Sequence, residues 1–267
     1  MKKTSIIILC VAASIMSATQ VSAQLRIGGK ALNTGKLIQA ANDVATAVSL
    51  TDADIARLSH ESVVWMDEHN PIADETTEYG ARLKRLTENI KHVEGLSLNF
   101  KVYDVIDVNA FACGDGSIRV FSSLMDIMDD DELMGIIGHE IGHVVHGDAK
   151  SAIKTAYMTS AAMNAAGAAG GAAAKLSDSA LGDLVAAFTD AQFSQKQEYA
   201  ADKYGFEFAT EHGFDPYGLS NALAKLVELS QGSKASTVQK MFSSHPDSEK
   251  RSARLKEMAD EYAAAKQ

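Results

Sequence analysis

Leu133-Met134-Gly135-Ile136-Ile137-Gly138-His139-Glu140-Ile141-Gly142-His143-Val144-Val145-His146-Gly147 is the stretch around which the chain organises itself. Leu133, Ile136 and Ile137 recur at helical spacing and run directly into the His-Glu-x-x-His segment. On a helix, His139 and His143 lie about 40° apart on one face, one turn above the other. Two imidazole nitrogens so placed can share one metal ion at ~2.0–2.1 Å. Glu140 falls beside such an ion rather than on it. A carboxylate there can take a proton from a water that attacks a carbonyl, and zinc lowers the pKa of that water toward ~7. The rival reading is a pair of core histidines bonded to backbone. Against it, three titratable side chains inside an apolar helix carry a desolvation penalty that a metal would offset. Gly138 and Gly142 each weaken the helix by ~1 kcal/mol relative to Ala, which a closely packed neighbour would explain.

His146 extends the same face, but it stands ~10.5 Å of helix rise from His139, too far for one tetrahedral ion. The third histidine of a metzincin would fall at Ala149. His146 therefore reads as a cation at the helix C-terminus or a wall of the cleft. The remaining ligand must come from elsewhere, and the best candidate is Glu198 in Gln195-Lys196-Gln197-Glu198-Tyr199-Ala200-Ala201-Asp202. Glu198 and Asp202 are one helical turn apart. Glu198 can bind the ion, and Asp202 can orient a ligand histidine through its second nitrogen. Spacing alone leaves open that these acids are ordinary solvated surface.

Upstream, Thr51 to Asp54 fits a capping box that starts a helix carrying Ile55, Leu58, Val63 and Met66, ended by Asn70-Pro71. A second helix is expected from about Glu75 to His92, with Tyr79, Leu83, Leu86 and Ile90 on one face. Leu98, Phe100 and Val102 then alternate as in a strand that Val105 to Ala112 continue or bend, and Ile118-Arg119-Val120-Phe121 reads as another beyond the Gly114-Asp115-Gly116 turn, the whole forming a compact hairpin unit. Asp130 or Asp131 is expected to cap the helix that follows. Residues 152–174 are low in complexity and read as a loosely connected small-residue helical pair rather than a lid or a membrane-dipping hairpin. Further helices are expected over about 179–211, 216–231 and 247–265.

The chain has 267 residues, of which 46% are hydrophobic and 22% charged, enough to bury a core and too apolar for disorder. Lys2 and Lys3, the apolar run from Ile6 to Met16 and Val21-Ser22-Ala23 read as a secretion signal cleaved after Ala23, which makes the chain periplasmic or otherwise exported. Residues 24–48 are then a flexible lead-in to a domain over 49–267. Cys10 lacks the small residue that a lipoprotein peptidase requires before it, so lipid anchoring is not expected; peripheral membrane association remains open. The net charge of −10 argues against nucleic acid as a partner. Cys113 would be the one cysteine of the mature chain, so no internal disulfide is expected. It reads as a small residue in a turn, the alternative being an inhibitory thiolate.

His139-Glu140-Ile141-Gly142-His143, Glu198-Tyr199-Ala200-Ala201-Asp202 and Ser244-His245-Pro246 together resemble the zinc peptidase family of the CAAX prenyl proteases, HtpX heat-shock proteases and Oma-type proteases. Asp107-Val108-Asn109-Ala110-Phe111-Ala112, the 118–121 strand and Gln192-Phe193-Ser194-Gln195 extend the likeness over most of residues 49–255, and it is greatest to the small periplasmic LoiP-like branch. The resemblance implies a mainly helical α+β fold of gluzincin type, with a small sheet over the His-Glu-x-x-His helix. It implies one zinc on His139, His143 and Glu198, with Glu140 as base, Asp202 behind a ligand, and His245 near the metal to stabilise an oxyanion. It also implies that Asn109, Ala110, Phe111 and Ala112 line the cleft and pair with substrate. The chain departs from the branch in lacking its lipid-attachment cysteine, and from common family usage in carrying Asp148 where a histidine often stands.

The expected activity is cleavage of internal peptide bonds in unfolded or damaged envelope proteins. Two rivals are a proteolytically silent, chaperone-like binder of unfolded chains and a zinc store that also uses His146.

Overall fold

The computed structural model describes residues 26–27, 30–31, 50–163, 176–232 and 235–266. The expected signal sequence and residues 164–175 of the small-residue segment lie outside them. The chain divides into two units, residues 1–38 and 39–267. In the first, β1 (Arg26–Ile27) and β2 (Lys30–Ala31) pair antiparallel.

The second unit opens with α1 (Asp52–His69), whose capping box joins Thr51 to Asp54 as expected. Then come β3 (Ile72–Ala73), α2 (Glu78–Thr87), β4 (His92–Val93), β5 (Leu96–Ser97), β6 (Asn99–Tyr103), β7 (Ala110–Ala112) and β8 (Ser117–Phe121). Helix α2 is shorter at both ends than its apolar spacing predicts. The Thr77 hydroxyl caps its start by accepting from the Gly80 N–H, and the β4–β5 pair takes up His92.

The four-stranded sheet has the order β3-β6-β8-β7. The expected hairpin about the Gly114–Gly116 turn forms, but its first strand is β7, within the 105–112 stretch, and not β6. β6 and β8 run parallel, with Val102 opposite Val120, while β7 is antiparallel to β8 and β3 to β6. The Gly114–Gly116 turn joins β7 to β8 instead of β6 to β8. β7 is three residues long, too short to announce itself by alternation.

The sheet separates two apolar clusters, and side-chain alternation assigns each residue to one of them. Val102, Ala110, Ala112, Ile118 and Val120 pack with Ile137 and Ile141 of the His-Glu-x-x-His helix. Tyr103, Phe111 and Phe121 face the other way, toward α1 and later helices. Arg119 also faces that way and is buried there, with its guanidinium on Asp67 of α1 at 2.8 and 3.0 Å.

Helix α3 (Ser122–Ile127) leads into α4 (Asp130–Val145), the His-Glu-x-x-His helix. Its cap is Asp129, one residue earlier than expected, in a capping box with Glu132. Gly147 ends the helix in the left-handed region at φ 76°, which costs an L side chain but not glycine. Beyond it lie α5 (Asp148–Met163), α6 (Asp178–Thr189), α7 (Gln195–Glu211), α8 (Gly218–Ser230), α9 (Ala235–Ser244) and α10 (Ser248–Ala265). The helix expected over 179–211 is thus two. Ser194 caps the second with Gln197 and so starts the helix that carries Glu198 at a defined register. Helix α9 was not foreseen. The fold is α+β and mainly helical, with the small sheet against the His-Glu-x-x-His helix, as expected. Among the described residues no helix is long and apolar enough to cross a membrane.

Candidate metal centre

The two histidines of α4 reach the acids of α7 because the helices touch along a glycine seam. A Cβ on Gly142 would stand 3.0 Å from the Cα of Ala201, and one on Gly205 would stand 2.7 Å from the backbone N of His139. This close neighbour is what the glycines of the motif implied. It also sets Glu198 and Asp202, on the buried face of α7, directly against His139 and His143.

His139, His143, Glu198 and His245 each bring one donor atom into a cluster whose members lie within 4.8 Å of one another, all buried. His139 Nε2 is 3.1 Å from His143 Nε2. His143 Nε2 is 3.3 Å from Glu198 Oε1. His245 Nδ1 is 3.3 Å from His139 Nε2 and 3.1 Å from Glu198 Oε1. Donors bound to one tetrahedral ion at ~2.0–2.1 Å lie about 3.3 Å apart, so these separations fit a single small cation. Imidazole and carboxylate are donors that suit zinc among others. The four side chains come from three separate elements, and no hydrophobic force gathers them.

The other ring nitrogens are held from behind. His139 Nδ1 lies 3.0 Å from Asp202 Oδ1, the orienting contact expected of Asp202. His143 Nδ1 lies 3.0 Å from Asp148 Oδ2. A proton on each Nδ1 leaves the Nε2 lone pairs facing the cluster, as metal ligation requires. Asp148 was known to the sequence only as a departure from family usage, yet it fills the matching role for the second histidine. Gln197 Nε2 donates to its other oxygen at 2.8 Å, and the ring of Phe193 stacks on His143 at 3.9 Å. Arg251, from α10, was missed entirely. Buried, it donates from Nε and Nη2 to the two oxygens of Asp202 at 2.8 and 2.6 Å, and its Nη1 pairs with Glu198 Oε2.

These contacts set the charges. Burial alone would lower the His143 pKa, but bonds to Asp148 and Glu198 outweigh it and raise the value to about 9. For His139 burial wins, and the pKa falls despite Asp202. Burial would raise Glu198 and Asp202. The surrounding histidines outweigh that for Glu198, and Arg251 with His139 for Asp202, so both carboxyls stay well below the usual range.

Glu140 stands outside the donor cluster, with Oε1 3.6 Å from His245 Nε2 and no hydrogen-bond partner among the described residues. It shares a cavity of about 30 Å³ with Asn109, Ala110, Phe111, Ala112, Phe188, Phe193 and His245. That volume admits about one water and no peptide. Phe188 of α6 packs edge-on against Phe111, with ring centroids 6.3 Å apart, over the β7 strand expected to bind substrate. His245 lies inside the donor set, not beside it. His146 lies outside, edge-on to Tyr204. Cys113 is buried and opens the turn after β7, its carbonyl accepting from the Gly116 N–H at 3.0 Å; burial first, then Asp115, push its thiol well above the usual range, so the inhibitory thiolate has no support.

Residues 78–259 match the model of peptidase family M48. The chain is 37% identical to Metalloprotease LoiP of Escherichia coli (strain K12) over 231 residues, which cover 86% of this chain and 90% of that protein. It is 32% identical to Metalloprotease YcaL of the same organism over 227 residues, 85% of this chain and 88% of that one. It is 29% identical to a Protease HtpX homolog of Salinibacter ruber (strain DSM 13855 / M31) over 181 residues, 57% of this chain and 64% of that protein.

Proposed function

The chain belongs to peptidase family M48 and is a metalloprotease that hydrolyses peptide bonds, and from that premise we propose that it is a one-zinc endopeptidase acting on unfolded or damaged proteins of the bacterial envelope. The observation that carries the zinc reading is the set of donor separations of 3.1–3.3 Å among His139, His143, Glu198 and His245. His139, His143 and Glu198 hold the ion. Zinc so held supplies Lewis acidity to a scissile carbonyl and lowers the pKa of a water to about 7.

The protein's own part is orientation and proton transfer. Asp202 and Asp148 fix the tautomer and ring plane of the two histidines. Glu140 takes a proton from the attacking water and gives it to the leaving amine. Backbone bonds from Cys113 N to Ser117 O and from Phe121 N to Asn109 O turn residues 109 and 113 toward β8. By strand alternation the peptide groups of Ala110 and Ala112 face the free edge, where an extended substrate adds as a further strand. Binding of a peptide there requires Phe188 and the 190–193 connection to withdraw. His245 Nδ1 would be a fourth donor beside His139, His143 and Glu198, and with its ring turned out of the cluster it would face the developing oxyanion. Export rests on Lys2, Lys3, the 6–16 apolar run and Val21-Ser22-Ala23.

The test is casein cleavage by wild type and Glu140→Gln, each assayed for zinc. We expect about one zinc per chain in both, and a rate lower by 10²–10⁴ in the variant. Equal cleavage by both removes Glu140 from the chemistry. Equal suppression of aggregation by both, with no cleavage, favours the chaperone-like binder.

A further inference from the structure

Resting on the zinc reading, we propose that Arg251 is a positioning residue of the metal centre: its guanidinium ties up Glu198 Oε2 and both oxygens of Asp202, so that Glu198 offers the ion one oxygen and the site stays nitrogen-rich.

A buried arginine is costly unless its charge and its fork of donors are both matched. Arg251 is 1% exposed, and its guanidinium contacts all fall on the metal centre. The two oxygens of Glu198 have separate tasks. Oε1 faces the donors, 3.3 Å from His143 Nε2 and 3.1 Å from His245 Nδ1. Oε2 is ion-paired with Arg251 Nη1 without an aligned hydrogen bond between them, and it lies 3.7 Å from His139 Nε2. Asp202 is divided likewise: Oδ1 accepts from His139 Nδ1 and Arg251 Nη2, and Oδ2 from Arg251 Nε. Nη2 also lies 3.4 Å from His139 Nδ1. With a proton on Nδ1 that contact carries no hydrogen bond, so Asp202 bridges the imidazole N–H and the guanidinium.

The electrostatic consequence is direct. Glu140, Glu198, Asp148 and Asp202 bring four carboxylates to the centre, and a dication neutralises two. Without Arg251 two negative charges remain surplus, which draws a second Glu198 oxygen onto the ion. Oxygen-rich sites suit calcium and magnesium, whereas two imidazoles and one oxygen suit zinc. Arg251 removes one surplus charge and occupies the oxygen that would otherwise become a ligand. A lysine keeps the charge but cannot engage Asp202 and Glu198 together through a planar fork.

The experiment compares full-length wild type, Arg251→Lys and Arg251→Met. Zinc affinity is read by competition with a chromogenic chelator, and ligand geometry by the visible spectrum of the cobalt-loaded proteins. We expect zinc to bind 10–100-fold more weakly in both variants, with a cobalt spectrum shifted toward higher coordination. A merely structural role lowers the unfolding midpoint but leaves affinity and spectrum unchanged. Folded variants with wild-type affinity and spectrum overturn the proposal. If neither variant folds, a zinc-loaded crystal structure of wild type decides: Oε2 still on Arg251 supports it, and Oε2 on the zinc overturns it. Wild type that takes up no zinc overturns the zinc reading and this proposal with it. Zinc-loaded wild type matched by its variants overturns this one alone.

Discussion

Substituting Gly205 by Ala separates two effects of opposite sign. By helix propensity the change stabilises α7 by about 1 kcal/mol. By packing it fails, because the new Cβ would stand 2.7 Å from the backbone N of His139, 3.0 Å from its Cα and 3.1 Å from the Gly135 carbonyl oxygen. All three are parts of α4's own scaffold, with no flexible side chain to swing aside. Restoring an ordinary contact of 3.4 Å demands that α7 retreat from α4 by about 0.7 Å at this point. Overpacking of this kind costs about 1–3 kcal/mol, so after the propensity gain we expect a net loss of up to about 2 kcal/mol. The retreat also carries Glu198 away from His139 and His143, and a site of this kind tolerates about 0.5 Å. Zinc binding should therefore weaken tenfold or more. Urea unfolding of the chelated protein measures the first effect without interference from metal, and chelator competition measures the second. A Gly205→Ala variant that is more stable by about 1 kcal/mol and binds zinc as wild type does would refute the glycine-seam argument.

Asp148→Ala should leave the helix content unchanged by circular dichroism and weaken zinc binding by 10–100-fold, since His143 loses the acceptor that fixes its tautomer; unaltered affinity would mean that Phe193 and packing alone hold the ring. Asp67 provides a pH test remote from the metal. Burial would raise its pKa, but Arg119, Lys101 and Tyr103 together hold it below the usual range. Its contribution to stability is thus complete above the unfolded value of about 3.9 and is lost as pH falls toward the lower folded value. Asp67→Asn should accordingly be less stable than wild type at pH 7, by about 3 kcal/mol for a broken, mostly buried pair. That gap should narrow below about pH 4. Urea midpoints from pH 7 to pH 3 check this, and a gap independent of pH would contradict it.

Local chemistry was legible wherever a rule acts within one or two turns. The Thr51 capping box, the His139–His143 face, the Glu198–Asp202 pair and the glycines of α4 all follow from residues less than a turn or two apart. The Asp129 cap was misplaced by one residue because three consecutive aspartates offer the same side chain, and only backbone geometry selects among them. The parallel pairing of β6 with β8 was invisible, because strand alternation fixes which face a residue takes and says nothing about its neighbour. Asp148, one residue beyond the Gly147 turn, and Phe193 were within reach of the sequence, and neither carries a spacing rule that marks its role.

By itself the sequence determined that two imidazoles share one face of an apolar helix with a carboxylate beside them, because helical periodicity is a local property of consecutive residues. The tertiary structure alone decided that Glu198 faces those imidazoles through one oxygen, that Arg251 arrives from the last helix to hold the other, and that His245 stands among the donors. Those contacts join residues 47 to 106 positions apart. Such contacts depend on where whole helices pack, and no local preference encodes that.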